Sequence, residues 1–311
     1  MSRPTIFVAL QQFCESDDRP LRLLREAGWD VRRNDLGRRL KAEEMLLLLE
    51  GADAVLAGVE PYDARLLKAL SRLKAISRCG VGTDSIDLEA ARKLKIAVFT
   101  TAEEVVEPVA QMTLGMILAL ARQFPQHLRL MEQGIWKKQT GALLSEWTIG
   151  LVGFGRIGQA VARYLQPFGS RILVADPGRS AGEVPEGVTL CDLQRLLSES
   201  DLVSLHAGRL KEEGPLLGHA ELFSMKAGSR LVNTARGYLV DEPALEEALV
   251  SGRLSAAALD VFEEEPYQGG LRKLPQVLCT PHVSTLTRAS RCAMELRCAE
   301  NVLQFFRSSG H

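Results

Sequence analysis

Between residues 148 and 176 the chain reads Thr148-Ile-Gly-Leu-Val-Gly153-Phe-Gly155-Arg-Ile-Gly158, then an amphipathic segment, then Arg171-Ile-Leu-Val-Ala-Asp176. No other stretch restricts the fold as much. The spacing predicts a β-strand, a tight turn, a helix and a second strand closed by an acid, the βαβ unit of a dinucleotide site. Gly153 permits the sharp turn off the strand, Gly155 lets backbone approach a pyrophosphate, and Gly158 lets the helix pack close to the sheet. The helix N-terminus then turns its N–H groups and dipole toward the anion. Asp176 follows Gly158 by 18 residues, close to the separation expected of the acid that accepts from the ribose 2′-hydroxyl.

A chain of 311 residues is long for one core and predicts about two domains. It is 46% hydrophobic and 25% charged with a formal charge of −1, the composition of an ordinary folded protein. Lys and Arg are scattered, so neither nucleic acid nor a membrane is expected as a partner. The six cysteines form no CxxC and no metal-ligand spacing. No metal is expected, and the thiols read as small buried hydrophobes in a reducing compartment. The N-terminal apolar stretch is too short for a secretory signal, and a cytoplasmic location is expected.

Short apolar strands alternate with helices along the chain. Strands are predicted at 5–10, 54–58, 75–78 and 96–100, and again at 148–152, 171–176, 202–206, 230–234, 256–260 and 277–279. Helices are predicted at 21–27, 42–50, 63–70 and 87–94. Continuous apolar strands separated by helices indicate α/β architecture, with parallel sheets covered on both faces. A helix beginning near Pro108, with Pro108 at its first position, joins two such units. From Val109 to Ala121 it is apolar nearly all round, which calls for burial between domains or against a second subunit. The last helix, from about Thr287 to Phe306, is free on this reading to pack on either unit.

Ligands of open parallel sheets bind beyond the C-terminal ends of the strands, and polar residues there are the candidates. Arg236 follows the strand Leu231-Val-Asn-Thr-Ala and precedes Gly237. Its planar fork suits a carboxylate; a structural ion pair is the other reading. Asp260 closes Ala258-Leu-Asp, and Glu263, Glu264 and Glu265 follow it. Glu265 is held before Pro266, whereas Glu263 and Glu264 read as surface charge. His282 lies in Thr280-Pro-His-Val-Ser284; histidine is the default proton donor or acceptor near neutral pH, and a neighbouring carboxylate favours its charged form. A satisfied structural histidine is the alternative, and His206, at another strand end, is the rival.

Taken together these segments resemble the D-isomer-specific 2-hydroxyacid dehydrogenases, the family of phosphoglycerate dehydrogenases, glyoxylate and hydroxypyruvate reductases and D-lactate dehydrogenases. The resemblance is carried by Ser77-Arg-Cys-Gly-Val-Gly-Thr-Asp-Ser-Ile-Asp87, the glycine turn at 153–158, Met225 to Gly237, Asp260 to Pro266, and Thr280-Pro-His282. It implies two doubly wound parallel-sheet domains. A Rossmann NAD-binding domain, 100–285, is inserted in a flavodoxin-like substrate-binding domain formed by 1–99 and 286–311. It also implies roles. Arg236 holds the substrate carboxylate, His282 is the acid/base, and Glu265 orients it. Asp260 lies near the nicotinamide carboxamide, Thr234 and His206 lie beside the cofactor, and Arg156 and Ile157 offer N–H groups to the pyrophosphate. Gly80, Val81 and Gly82 grip the carboxylate from the other domain, and a homodimer is usual.

The chain departs from the family pattern at Ser85, Gln111, Ala207-Gly208-Arg209 and Val283-Ser-Thr-Leu-Thr287. None of these removes a catalytic group. The expectation is therefore an NAD(H)-dependent enzyme interconverting a 2-keto acid and its D-2-hydroxy acid. Asp176 disfavours NADP by repelling a 2′-phosphate. The alternative from another class is an NAD-sensing, corepressor-like protein that keeps the same fold.

Overall fold

The computed structural model describes residues 3–208 and 214–309, so Arg209 of the third departure lies outside the described residues. The chain divides into two compact units, Met1–Val105 with Leu286–His311, and Val106–Thr285.

In the first unit, strands β1 (Thr5–Val8), β2 (Asp30–Arg33), β3 (Ala54–Ala57), β4 (Ala75–Arg78) and β5 (Ala97–Thr100) form a parallel sheet of order β2-β1-β3-β4-β5. This is the flavodoxin-like order. Central β3 is buried at every position, whereas edge strand β2 is Asp-Val-Arg-Arg. Such a charged edge was not predicted, because one side of it needs no apolar cover. Helices α1 (Arg19–Glu26), α2 (Ala42–Leu49), α3 (Ala64–Ala69) and α4 (Leu88–Lys93) connect the strands. Asp63 and Asp87 cap α3 and α4 by accepting from the backbone N–H groups of Leu66 and Ala90.

The terminal helix, Arg288–Ser309, settles the question of its partner. It lies on β3, β4, β5 and α1 of this unit, burying Met294, Cys298, Ala299 and Val302. The Phe306 ring meets Trp29 edge-on at 4.7 Å between centroids.

The second unit opens with α5 (Val106–Ala121) and α6 (Phe124–Glu132). Pro108 is the third residue of α5 and not the first; its missing N–H still falls among those the first turn leaves unpaired. A seven-stranded parallel sheet follows, made of β6 (Thr148–Val152), β7 (Arg171–Ala175), β8 (Val188–Leu190), β9 (Leu202–Leu205), β10 (Ser229–Asn233), β11 (Leu254–Leu259) and β12 (Val277–Cys279). Its order, β12-β11-β10-β9-β6-β7-β8, is the Rossmann order with one added strand, and the direction of winding reverses between β6 and β9. Edge strand β8, Val-Thr-Leu, was also not predicted; three residues carry little pattern. Helices α7 (Arg156–Leu165), α8 (Leu193–Glu199), α9 (His219–Ser224) and α10 (Glu242–Val250) cover the faces. Helix α5 packs on α7, β10 and β11 within the unit. Only one of its faces is fully covered, and Leu114 and Leu118 stay half-buried. Among the described residues no helix is long and apolar enough to cross a membrane.

Candidate active site

The glycine turn between β6 and α7 is built by close approach. Gly153 has φ +92°, and a Cβ there would stand 2.6 Å from the backbone of His206 and Ala207. A Cβ on Gly158 would stand 2.4 Å from the Gly153 carbonyl oxygen. Neither position admits another residue without moving backbone. Gly155 differs, since nothing lies within 4 Å of its missing Cβ. It is the N-cap of the ten-residue α7, so it leaves an open cradle at a helix N-terminus, with Arg156 exposed and Ile157 half-buried beside it. At the end of β7, Asp176 accepts from the backbone N–H groups of Phe154 at 2.7 Å and Gly178 at 2.8 Å. The acid is thus tied to the turn it serves. These residues fit a dinucleotide.

Beyond β10 the chain turns sharply. The buried Asn233 side chain accepts from the Ala235 N–H at 3.0 Å and donates to the Arg236 carbonyl at 2.8 Å, fixing the turn that carries Arg236. The Thr113 hydroxyl donates to the Val109 carbonyl at 2.8 Å. In the 2.8 Å contact between Thr113 and Thr234, Thr234 is therefore the donor, and α5 pins the same turn. The half-buried Arg236 guanidinium donates to the Ala235 carbonyl at 2.7 Å. At Gly237 a Cβ would lie within 2.3 Å of the Phe262 and Glu263 backbone. Glycine alone lets the Arg236 turn reach the segment that leads to Glu265.

His282 and Glu265 meet beyond β11 and β12. His282 Nδ1 lies 2.9 and 3.1 Å from the two Glu265 oxygens. Both side chains remain substantially exposed, at 45% and 38%. Burial alone would push the Glu265 carboxyl up, but the hydrogen bond and charge of His282, the Phe262 N–H and the charge of Arg236 together hold it below the usual glutamate value. With Nδ1 engaged, Nε2 is the ring atom left to exchange a proton. His282 has the left-handed φ of 54°, unusual for a residue with a Cβ. Its N–H donates to the carbonyls of Asp260 at 2.8 Å and Thr280 at 3.0 Å. Asp260 is completely buried. Its Oδ1 accepts from the Thr280 hydroxyl at 2.5 Å and the Val283 N–H at 2.9 Å. Its Oδ2 accepts from the Ser284 N–H at 2.9 Å and the Ser284 hydroxyl at 2.5 Å.

His206, after β9, is different in character. Burial pushes its pKa down to about 4, and Nε2 lies 3.0 Å from the Ser204 hydroxyl. In the first unit, Gly80 follows β4 with φ 134°, and its N–H donates to the buried Thr101 hydroxyl at 2.7 Å. Val81 is exposed and Gly82 half-buried in the same loop.

Residues 114–284 match the family model described as the D-isomer specific 2-hydroxyacid dehydrogenase, NAD binding domain. The chain is 34% identical to the hydroxypyruvate reductase of Thermotoga maritima over 85% of its own length and 88% of the relative's. It belongs to this family. The glyoxylate reductase of Thermococcus litoralis is 37% identical over 79% of this chain and 78% of its own. A crystal structure of the D-lactate dehydrogenase of Aquifex aeolicus with NAD and lactic acid superposes with a TM-score of 0.83 at 27% identity, covering 98% of this chain and 96% of the other.

As a D-2-hydroxyacid dehydrogenase the chain is an NAD-dependent oxidoreductase. Its second unit is the NAD-binding domain, and both units are parallel α/β sheets. Sequence reading had not singled out Asn233, Thr113, Thr280 or Ser284. Asn233 carried a usable signal, since Asn at a strand end directly before a turn bonds its own backbone two residues on. For the other three, the partner is distant in sequence and no local pattern reveals it.

Proposed function

We propose that this enzyme reduces a small 2-keto acid to the D-2-hydroxy acid, with Arg236 holding the substrate carboxylate and His282 and Glu265 acting as the acid/base pair. The observation that carries this reading is the 2.9 Å contact of His282 Nδ1 with Glu265. It fixes the ring, leaves Nε2 for the proton and stays accessible. Bound NADH supplies the hydride that such a reduction requires. Arg236 orients the acid by bidentate contact and stabilises negative charge growing on the carbonyl oxygen. His282 gives that oxygen its proton, and Glu265 stabilises the charged imidazole between turnovers. His206 is the poorer candidate for that proton, since burial keeps its ring uncharged down to a pH of about 4.

Gly155, Arg156, Ile157, Gly158, Asp176, Thr234 and His206 are the proposed cofactor contacts, with Gly153 shaping the turn. The loop at 80–82 is the proposed grip on the substrate carboxylate. Because the Gly80 N–H is taken by Thr101, that role falls to Val81 and Gly82. The first unit is read as the substrate-binding domain and NAD as the preferred cofactor. The printed activities of the relatives, hydroxypyruvate and glyoxylate reductase, support a small substrate. Free thiols at all six cysteines fit a cytoplasmic setting.

The homodimer is proposed from the surface of the second unit. Phe124, Leu128, Met131, Ile135, Trp136 and Leu143 are exposed there, an apolar concentration that a lone soluble chain seldom displays.

NADH oxidation across a panel from glyoxylate and hydroxypyruvate to branched and phosphorylated 2-keto acids tests the reading. Turnover with a D-configured product is expected, with a fall of roughly a hundredfold or more in His282→Ala. Near-normal turnover in that variant would remove His282 from the chemistry.

A further inference from the structure

Strand β4 pairs one residue beyond its end, because the Cys79 N–H donates to the Ala57 carbonyl at 2.9 Å. Ser77 and Cys79, two positions apart, therefore point to the same face of the sheet. On the terminal helix, Arg291, Cys298 and Asn301 follow one another at spacings of seven and three and share one face.

Two printed contacts fix how these faces meet. Arg291 Nη1 lies 3.8 Å from Cys79 Sγ, and Asn301 Nδ2 donates to the Ser77 hydroxyl at 3.3 Å. Cys298 falls between Arg291 and Asn301 along the helix, so its side chain is turned toward Ser77 and Cys79. Its thiol donates to the Cys79 sulfur and accepts in turn from the Ser77 hydroxyl. Cys298 is completely buried, whereas Cys79 keeps 7% exposure.

The pair is unsymmetrical. The hydrogen bond from Cys298 holds the Cys79 thiol below its ordinary value against the burial that would raise it, and the Arg291 charge adds to this. Arg291 is itself held at 2.9 Å by the buried Glu295, whose charge acts in the opposite sense. Complete burial and the same thiol contact push Cys298 well up. Burial likewise pushes Cys14 and Cys279 up to about 11. Cys79 thus has the thiolate character and the access that oxidation requires, and Cys298 stands behind it as the resolving thiol.

We infer that Cys79 and Cys298 form a redox-modification site, joined as a reversible disulfide by hydrogen peroxide. The Cys79 thiolate attacks one peroxide oxygen and breaks the O–O bond. Cys79 becomes a sulfenic acid, and the other oxygen leaves as water with the proton that the thiol gave up. The Cys298 sulfur then attacks the Cys79 sulfur, the S–O bond breaks, and the Cys298 proton leaves with the hydroxyl as a second water. The two thiols lose two electrons and the peroxide gains them. Cys79 leads directly into Gly80-Val81-Gly82, so the disulfide ties the proposed carboxylate grip to the terminal helix. Its effect on the substrate rests on the reading of that loop, whereas the disulfide itself does not.

The test treats the reduced, full-length wild type with a slight excess of hydrogen peroxide and alkylates the remaining thiols in denaturant. The unreduced digest is then mapped by mass spectrometry. A peptide pair joined through Cys79 and Cys298 is expected, absent before treatment and lost again in dithiothreitol. In Cys298→Ser the sulfenic acid has no partner, so dimedone should label Cys79. In Cys79→Ser the same dose should leave Cys298 unmodified. KM for the best 2-keto acid should rise several-fold in the oxidised wild type with the NADH Kd unchanged, and dithiothreitol should restore it.

The absence of a Cys79–Cys298 linkage in the treated wild type overturns the inference, whether the thiols stay reduced, other cysteines pair, or Cys79 proceeds to sulfinic acid. That mapping needs no substitution, so it decides even where a serine variant fails to fold. The reading of the loop at 80–82 fails separately, through a linkage that forms while KM stays where it was.

Discussion

Gly237 stands so close to Phe262 that a Cβ on the glycine would lie 1.8 Å from the Phe262 carbonyl carbon. The contact joins the turn carrying Arg236 to the segment leading to Glu265. Gly237→Ala must therefore push the two apart. Overpacking of this kind costs about 1–3 kcal/mol, and displacing a substrate-positioning group by an ångström costs about a hundredfold in rate. The expected outcome is a lowered Tm together with at least that loss in kcat/KM. A variant with native Tm and native kcat/KM would show that the backbone there yields freely.

Glu265→Gln keeps the shape of the pair and removes its charge. Turnover should fall by roughly a hundredfold. The native carboxyl sits below the usual glutamate value, so its interactions stabilise the fold above that value and are lost as pH drops through it. The variant should thus lose less Tm than the wild type between pH 5 and pH 3, relative to each protein's own value at neutral pH. Equal losses would mean that the pair contributes nothing to the folded state.

His206 makes the opposite kind of contribution, by staying uncharged. Its pKa is pushed from 6.5 to about 4, so the neutral ring favours the fold fully above 6.5. That advantage is lost as pH falls from 6.5 toward 4, and the loss across the window reaches at most on the order of 3 kcal/mol. Thermal unfolding from pH 7 to pH 4 should be distinctly flatter in His206→Asn. A parallel curve would place the acid sensitivity elsewhere.

Asp176, the proposed ribose ligand, has a structural part as well, because its carboxylate fastens Phe154 and Gly178. Asp176→Ser should raise efficiency with NADPH while lowering it with NADH, shifting their ratio by tenfold or more. The shift should come with some loss of Tm as the turn loosens. Unchanged selectivity, measured as the ratio of kcat/KM values for the two cofactors, would assign cofactor choice to another residue.

Trp136 is 81% exposed and lines one hollow with Met131 and Ile135, within the apolar group proposed as the dimer surface. Trp136→Glu combined with Leu128→Glu should convert a dimer to a monomer in light scattering, with Tm dependent on concentration only in the wild type. A wild-type protein that is monomeric at micromolar concentration removes the dimer from the reading.

The internal strands and the glycine turn were legible because burial on both faces demands unbroken apolar runs. The two strands that escaped notice, β2 and β8, are edges, and an edge such as Asp30-Val-Arg-Arg33 hides its pairing behind charge. The candidate triad was legible through its motifs. What was not legible is the support around it. That Asp260 faces its own histidine loop, and that Thr113 reaches Thr234 from 121 positions away, follow only from how the strands stack. Pro108 shows the limit at helix ends, where a rule about first positions met a helix that starts two residues earlier.

The order of the larger sheet sets the proposed ribose contact well apart from the proposed acid/base pair. The turns after β10, β11 and β12 carry Arg236, Glu265 and His282, whereas Asp176 follows β7, five strand spacings from β12. At about 4.8 Å per spacing that is roughly 24 Å, beyond the range at which substitutions ordinarily interfere with each other. Evolution, or an engineer, is free to retool the Asp176 end of this sheet while leaving the Glu265 and His282 end as it stands.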